Sequence, residues 1–271
     1  MRYPKGTIIV SKTRDVPVLE QVLHCGFVTC NQLFQFLQLA RLERSHQAFE
    51  QRLRRLEKYE LLCRHSGLLN GHEWVYSIAP KGASLLTEMG ELYAGRGVHE
   101  QGDGQLIVNH WLDINEIHLA LRRNRVLVRW TPESEIRSQN DLTTFGYAKD
   151  YDAVVTVRCG DQDCRFALEY ERSVKTQSKY EEICADLDAE FHVSTLLYLS
   201  PTYHLLSFMK KCFAPRKLII CLAVATEFLD QLLDTPVAVA GRQDRPVAFK
   251  DILLRKGGGL NSWISSPQQL A

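Results

Sequence analysis

The sequence predicts an α/β protein in two parts, and three observations lead there. Residues 14–90 carry three helix-forming stretches, two short strand-like runs around a polar turn, and a proline-opened fourth helix. Residues 149–180, KDYDAVVTVRCGDQDCRFALEYERSVKTQSKY, read as a β-hairpin that feeds a helix. Beyond the hairpin, apolar strand-length runs alternate with helical ones, the order that gives a sheet covered on both faces.

Composition bounds the function. A chain of 271 residues can bury a sizeable core in one or two domains. Its 45% hydrophobic and 24% charged content is that of an ordinary globular protein. The 33 Lys and Arg nearly balance the 32 Asp and Glu, so contact with nucleic acid has to come from local patches. No apolar run reaches bilayer length and MRYPKGTIIVSKTRD lacks a signal-peptide core, so the expectation is a cytoplasmic protein with no membrane partner. The eight cysteines show neither a C-x-x-C pair nor zinc-ligand spacing. Cys159 and Cys164 flank the hairpin turn and are expected as free thiols. No G-x-x-x-x-G-K-[ST] loop supports ATP hydrolysis.

Taken in order, Asp15 caps a first helix with Pro17 in its opening turn, and Gly26 ends it. Thr29 with Gln32 forms a capping-box pattern for a second helix, which buries Leu33, Phe34 and Leu37. Ser45 caps a third, reaching about residue 60. At 100° per residue, Phe49, Leu53 and Leu56 make one apolar stripe of that helix. Gln47, Gln51, Arg54 and Lys58 fall opposite, with Arg55 at the edge. Glutamine and arginine can make paired hydrogen bonds to adenine and guanine edges in the major groove. A merely solvated helix face is the plainer explanation of such a strip. Residues 61–65 and 74–78 then read as strands around a polar turn, and Pro80 opens the next helix.

Three helices, a hairpin and the closing YSIAPKGASLL resemble the winged-helix DNA-binding domain over residues 14–90. That resemblance implies double-stranded DNA as a partner, with Arg64 and His72 at the wing as phosphate contacts. Winged-helix proteins often act as dimers on two-fold sites, so a homodimer is one expected partner, although no dimerisation helix is legible. DNA binding of this kind requires no cofactor.

Residues 91–104, inside the glycine-rich GELYAGRGVHEQGDG, read as a linker. A helix over 105–123 opens the second domain, residues 105–240. Ile107, Trp111, Ile114, His118 and Leu121 repeat at helical spacing, and Asn109, Asp113 and Glu116 form a second, polar strip. A strand at 126–130 and a long polar loop at 131–148 precede the hairpin. A helix over 174–191, a strand at 196–199, a helix over 204–212 and a strand at 218–224 follow it. Residues 241–271 are expected as a C-terminal extension, partly disordered.

In the hairpin, Asp152 begins one strand, and Glu169 and Glu171 end the other two apart, on one face of the pleat. A hairpin can bring a carboxylate from each strand together, which suits a hard divalent cation. A solvated hairpin end is again the plainer account. The spacing resembles the PD-(D/E)XK nuclease-like core, a restriction-endonuclease-like α/β domain, with Asp152 and Glu169 as its two acids. Glu171 stands where that core has lysine, and Lys175 or Lys179 in the next helix are the candidates to supply the cation.

VNHWLDINEIHLALRR after a winged helix, followed by the acidic hairpin, is similar to the replication-relaxation family of plasmids, phages and integrative elements. Carried over by position, the resemblance makes Glu116 a metal ligand beside Asp152 and Glu169, with Mg²⁺ or Mn²⁺ as cofactor if the domain is active. It implies a DNA-binding accessory or regulatory protein of a mobile genetic element, working with replication, mobilisation or recombination proteins. A metal-dependent endonuclease or nickase is the alternative, and a protein-interaction scaffold stands third. The missing lysine places the accessory reading first.

Overall fold

The computed structural model describes residues 9–66, 73–90, 104–213, 217–242 and 245–255. Contacts group the chain into two units, residues 1–125 with 131–153, and residues 126–130 with 154–271. The protein is α/β, with a mixed seven-stranded sheet and helices.

The first unit begins with α1 (Val16–Cys25), β1 (Val28–Thr29), α2 (Cys30–Leu39) and α3 (His46–Lys58). β2 (Leu62–His65), β3 (Val75–Ile78), α4 (Pro80–Glu88) and α5 (Gly104–Arg123) follow. The first three strands form an antiparallel sheet in the order β1-β3-β2, with Val28 opposite Tyr76 and Leu62 opposite Ile78. Local chemistry sets the boundaries. Asp15 sits at the first cap but makes no side-chain cap bond, contrary to the sequence expectation, because its carboxylate is engaged elsewhere. Gly26 ends α1 at φ +65°, and a β-carbon there would lie 2.7 Å from the Trp111 ring, so glycine is required twice over. Thr29 Oγ1 accepts from Gln32 N at 3.1 Å while Gln32 Oε1 accepts from Thr29 N at 3.4 Å, the reciprocal box the sequence predicts.

Leu19, Val22, Leu33, Phe36, Phe49, Leu53, Leu56 and Leu86 form the core of this unit, and Leu119 of α5 belongs to it. Two polar bonds fix α5 in place. Asn115 Nδ2 donates to Phe27 O at 2.7 Å, and Gln32 Nε2 donates to Leu112 O at 2.9 Å. The helix that follows the expected linker is therefore packed on α2 and β1. The linker itself, apart from Gly104, lies outside the described residues.

The chain then passes through β4 (Leu127–Pro132) and α6 (Glu133–Leu142). Residues 133–142 were expected within a loop and are helical instead. Only Ile136 and Ser138 of α6 are buried, so no apolar stripe announces the helix, and the (i, i+4) pair of Glu133 and Arg137 supports it.

The sheet of the second unit runs in the order β10-β9-β8-β7-β6-β5-β4. β5 (Ala153–Cys159) and β6 (Gln162–Tyr170) form the hairpin, turning at Gly160 with φ +60°. They lead to α7 (Gln177–Asp188), β7 (Thr195–Ser200), α8 (Tyr203–Cys212), β8 (Ile219–Val224) and α9 (Ala225–Gln231). β9 (Pro236–Val239), β10 (Val247–Ala248) and α10 (Phe249–Leu254) close the described chain. β6, β7 and β8 are parallel, whereas β9 and β10 run antiparallel to their neighbours. Glu169 pairs with Tyr198 across β6 and β7, which puts both side chains on one face, with Phe213 stacked on Tyr198 at 5.3 Å. Phe166 points to the other face, against Phe249 of α10 at 5.0 Å. Part of the expected C-terminal extension thus completes the sheet, because Phe249, Ile252 and Leu253 supply an apolar face. Residues 256–271 lie outside the described chain.

Candidate functional site

The third helix turns two unlike faces in the way its sequence dictates. Phe49, Leu53 and Leu56 are fully buried, while Gln47, Gln51, Arg54 and Lys58 are exposed. Helical geometry sets those four within about 40° of the direction of Gln47. Ser45 Oγ accepts from Ala48 N at the start of the helix. Arg54 lies 71% exposed, with a loose 3.9 Å pair to Glu50. The strip is open and carries donors and acceptors of the kind that bind base edges and phosphate.

Arg55 and Arg64 are held differently. Arg55 pairs with Asp15, whose buried carboxylate also accepts from Ser11 N at 2.8 Å and lies 3.7 Å from Arg52 Nε. Arg52 is itself buried and pairs with Glu43. This network ties α3 to the start of α1. Arg64 bonds Glu57 at 2.9 Å, and its guanidinium lies 4.3 Å from the Trp74 ring centre. His72 lies outside the described residues.

Among the acids, Asp152 belongs to the first unit, where its Oδ1 meets His110 Nε2 of α5 at 3.1 Å. Glu133 is nearby. Burial raises its pKa above the ordinary carboxylate value; Arg137 opposes that, and the charges of Asp152 and Asp150 add to it. Asp150 in turn accepts from Asn140 Nδ2 at 2.8 Å and lies 3.4 Å from Arg137 Nε. Glu116 pairs with Arg123 at 2.9 Å. It stands six residues beyond His110, about 9 Å further along the helix axis. His110 and Glu133 are the partners that sequence reading missed. The Glu133–Arg137 spacing was legible, but nothing in the sequence ties His110 to a residue 42 positions away.

Glu169, Glu171, Lys175 and Lys179 belong to the second unit. Glu169 and Glu171 are buried. Glu171 pairs with Lys175, and its backbone N donates to Leu199 O at 2.8 Å. Burial, reinforced by the Glu171 charge, pushes the Tyr180 phenol up to about 12, which leaves it protonated at neutral pH. Lys179 turns to Glu182 on its own helix at 2.7 Å. The two lysines proposed as replacement cations are thus both in local ion pairs.

No protein-family model matches the chain, and neither a curated protein nor a solved structure matches it.

Proposed function

We propose that this protein binds double-stranded DNA through α3 in the manner of a winged helix, as an accessory or regulatory protein of a mobile genetic element. The observation that carries this reading is the exposed strip of Gln47, Gln51, Arg54 and Lys58 above the buried Phe49, Leu53 and Leu56. The helix order and the sheet order β1-β3-β2 support it, since a winged helix threads a short strand between its first two helices and closes with a hairpin. The tether from Asp15 to Arg52 and Arg55 supports it too, because a reading helix must be held at a fixed angle to its base. Replication, mobilisation or recombination proteins of the element are the partners this role implies, and a homodimer suits a two-fold site.

In this reading the nuclease-like domain, residues 105–240, is a body without activity. The sequential order from β4 to β8 and the parallel β6–β7 pair after a hairpin support the nuclease-like part of that statement. Lack of activity is supported by the chain's own cations, which engage the carboxylates a divalent ion would use: Lys175 on Glu171 and Arg123 on Glu116. The His110–Asp152 contact favours the alternative, a Mg²⁺- or Mn²⁺-dependent endonuclease or nickase, because it sets a polar partner against one expected acid.

Fluorescence anisotropy of a labelled duplex tests the binding role. Wild type should bind in a salt-dependent manner, and the Gln51→Ala/Arg54→Ala variant should bind more weakly. Equal binding of every duplex by both proteins would remove α3 as the reading element.

A further inference from the structure

Cys30 opens α2, and His46 and Glu50 stand one turn apart on α3. One ligand atom from each, the Cys30 Sγ, a His46 ring nitrogen and a Glu50 carboxylate oxygen, all lie within 4.8 Å of one another. The His46 Nδ1 to Glu50 Oε1 distance is already 3.2 Å. Around a tetrahedral zinc ion, bond lengths of about 2.0–2.3 Å put such ligand atoms about 3.3–3.6 Å apart. Closing the remaining gap takes about 1 Å, within the reach of side-chain rotation at the half-exposed His46 and Glu50.

We propose that Cys30, His46 and Glu50 form a binding site for a borderline-soft divalent cation of the Zn²⁺ or Co²⁺ class. Thiolate, imidazole and carboxylate are together the donor set such ions take, whereas Mg²⁺ and Ca²⁺ prefer oxygen alone. Three protein ligands leave a fourth position for water. Glu73 is a further carboxylate whose charge reaches Cys30, and its Oε1 accepts from Asn31 N at 3.0 Å. Coordination takes the thiolate of Cys30, whose proton passes to solvent, and replaces the direct His46–Glu50 contact. The Phe34 ring, edge-on to His46 at 4.9 Å, walls one side of the site. The bound ion would clasp the start of α2 to the start of α3.

The sequence hides this site because Cys30 and His46 are 16 positions apart and match no finger-like spacing. It is distinct from the acids around Asp152 and from those of the second unit. Its existence does not depend on the DNA-binding role.

Titration of the whole protein with Co²⁺, followed by absorption spectroscopy, tests the proposal. One equivalent should produce a sulfur-to-cobalt charge-transfer band and tetrahedral visible bands, and Zn²⁺ should displace both. Cys30→Ser should lose the charge-transfer band, while Cys63→Ser keeps it. Cys30 is buried, so the His46→Ala and Glu50→Gln variants provide a surface test that leaves the core alone. Each should weaken Co²⁺ binding at least about tenfold, the lower end of what loss of an outer-shell partner costs. Absence of the band in wild type, or a band that survives in Cys30→Ser or is unmoved in both surface variants, would overturn the assignment.

Discussion

Single residues show where burial sets the chemistry. The His118 ring lies 4.8 Å from the Phe36 ring. Enclosure first, and then the charges of Arg122 and His24, lower its pKa well below the ordinary imidazole value. Burial lowers His65 in the same direction. The unfolded chain therefore binds more protons than the folded one below the unfolded value of about 6.5, and stability is full above that pH. It should fall as the pH drops through 6.5 toward the folded values, by up to about 1.4 kcal/mol per pH unit for each proton taken up. Urea denaturation between pH 7.5 and 5.5 checks this. His118→Phe keeps an aromatic ring against Phe36 and should flatten the slope, whereas an unchanged slope would assign the effect to other groups. The sequence placed His118 on the apolar stripe of its helix. It could not give the lowered pKa, because Phe36 and His24 come from distant parts of the chain.

Elements were legible where a local signal marks them. The box of Thr29 and Gln32, the Ser45 cap and the two faces of α3 follow from neighbours within four residues. The hairpin of β5 and β6 followed from β-branched runs around a glycine turn. α6 escaped because it buries almost nothing, and α10 because the whole helix is only six residues long. Asp15 is the instructive case. Its position suggests a cap, but its carboxylate joins Arg52 and Arg55 some 40 residues away, a pairing that only the tertiary fold creates. Asp15→Ala should cost about 1–3 kcal/mol, the range for leaving a donor such as Ser11 N without its acceptor, because Arg52 keeps its pair with Glu43. Arg55→Ala removes a partly exposed member and should cost about 1 kcal/mol or less. Chemical denaturation of the two variants measures both, and equal small losses would mean that the network does not anchor α3.

At the scale of the whole molecule, the α/β class was legible in the sequence, and Asp152, Glu169 and Glu171 were legible as residue types. Their partners were not, since His110, Glu133 and Lys175 are brought in by packing or by turn geometry. Among the described residues no helix is long and apolar enough to cross a membrane. The non-catalytic account predicts that supercoiled plasmid incubated with the protein and Mn²⁺ stays intact. Nicking by wild type that both Asp152→Ala and Glu169→Ala abolish would instead make the protein an enzyme.

The central claim is that α3 reads duplex DNA, and its most direct test starts from a duplex selected by wild type from a random pool. Binding to that duplex and to an unselected one is then measured across salt concentrations for wild type, Arg54→Ala and Lys58→Ala. If Arg54 reads a guanine, Arg54→Ala loses about 1–3 kcal/mol on the selected duplex and much less on the other. Lys58→Ala, taken as losing a phosphate contact, weakens both alike and reduces the salt slope by about one. Selection of no preferred duplex, or unchanged affinities and slopes in both variants, would contradict the account.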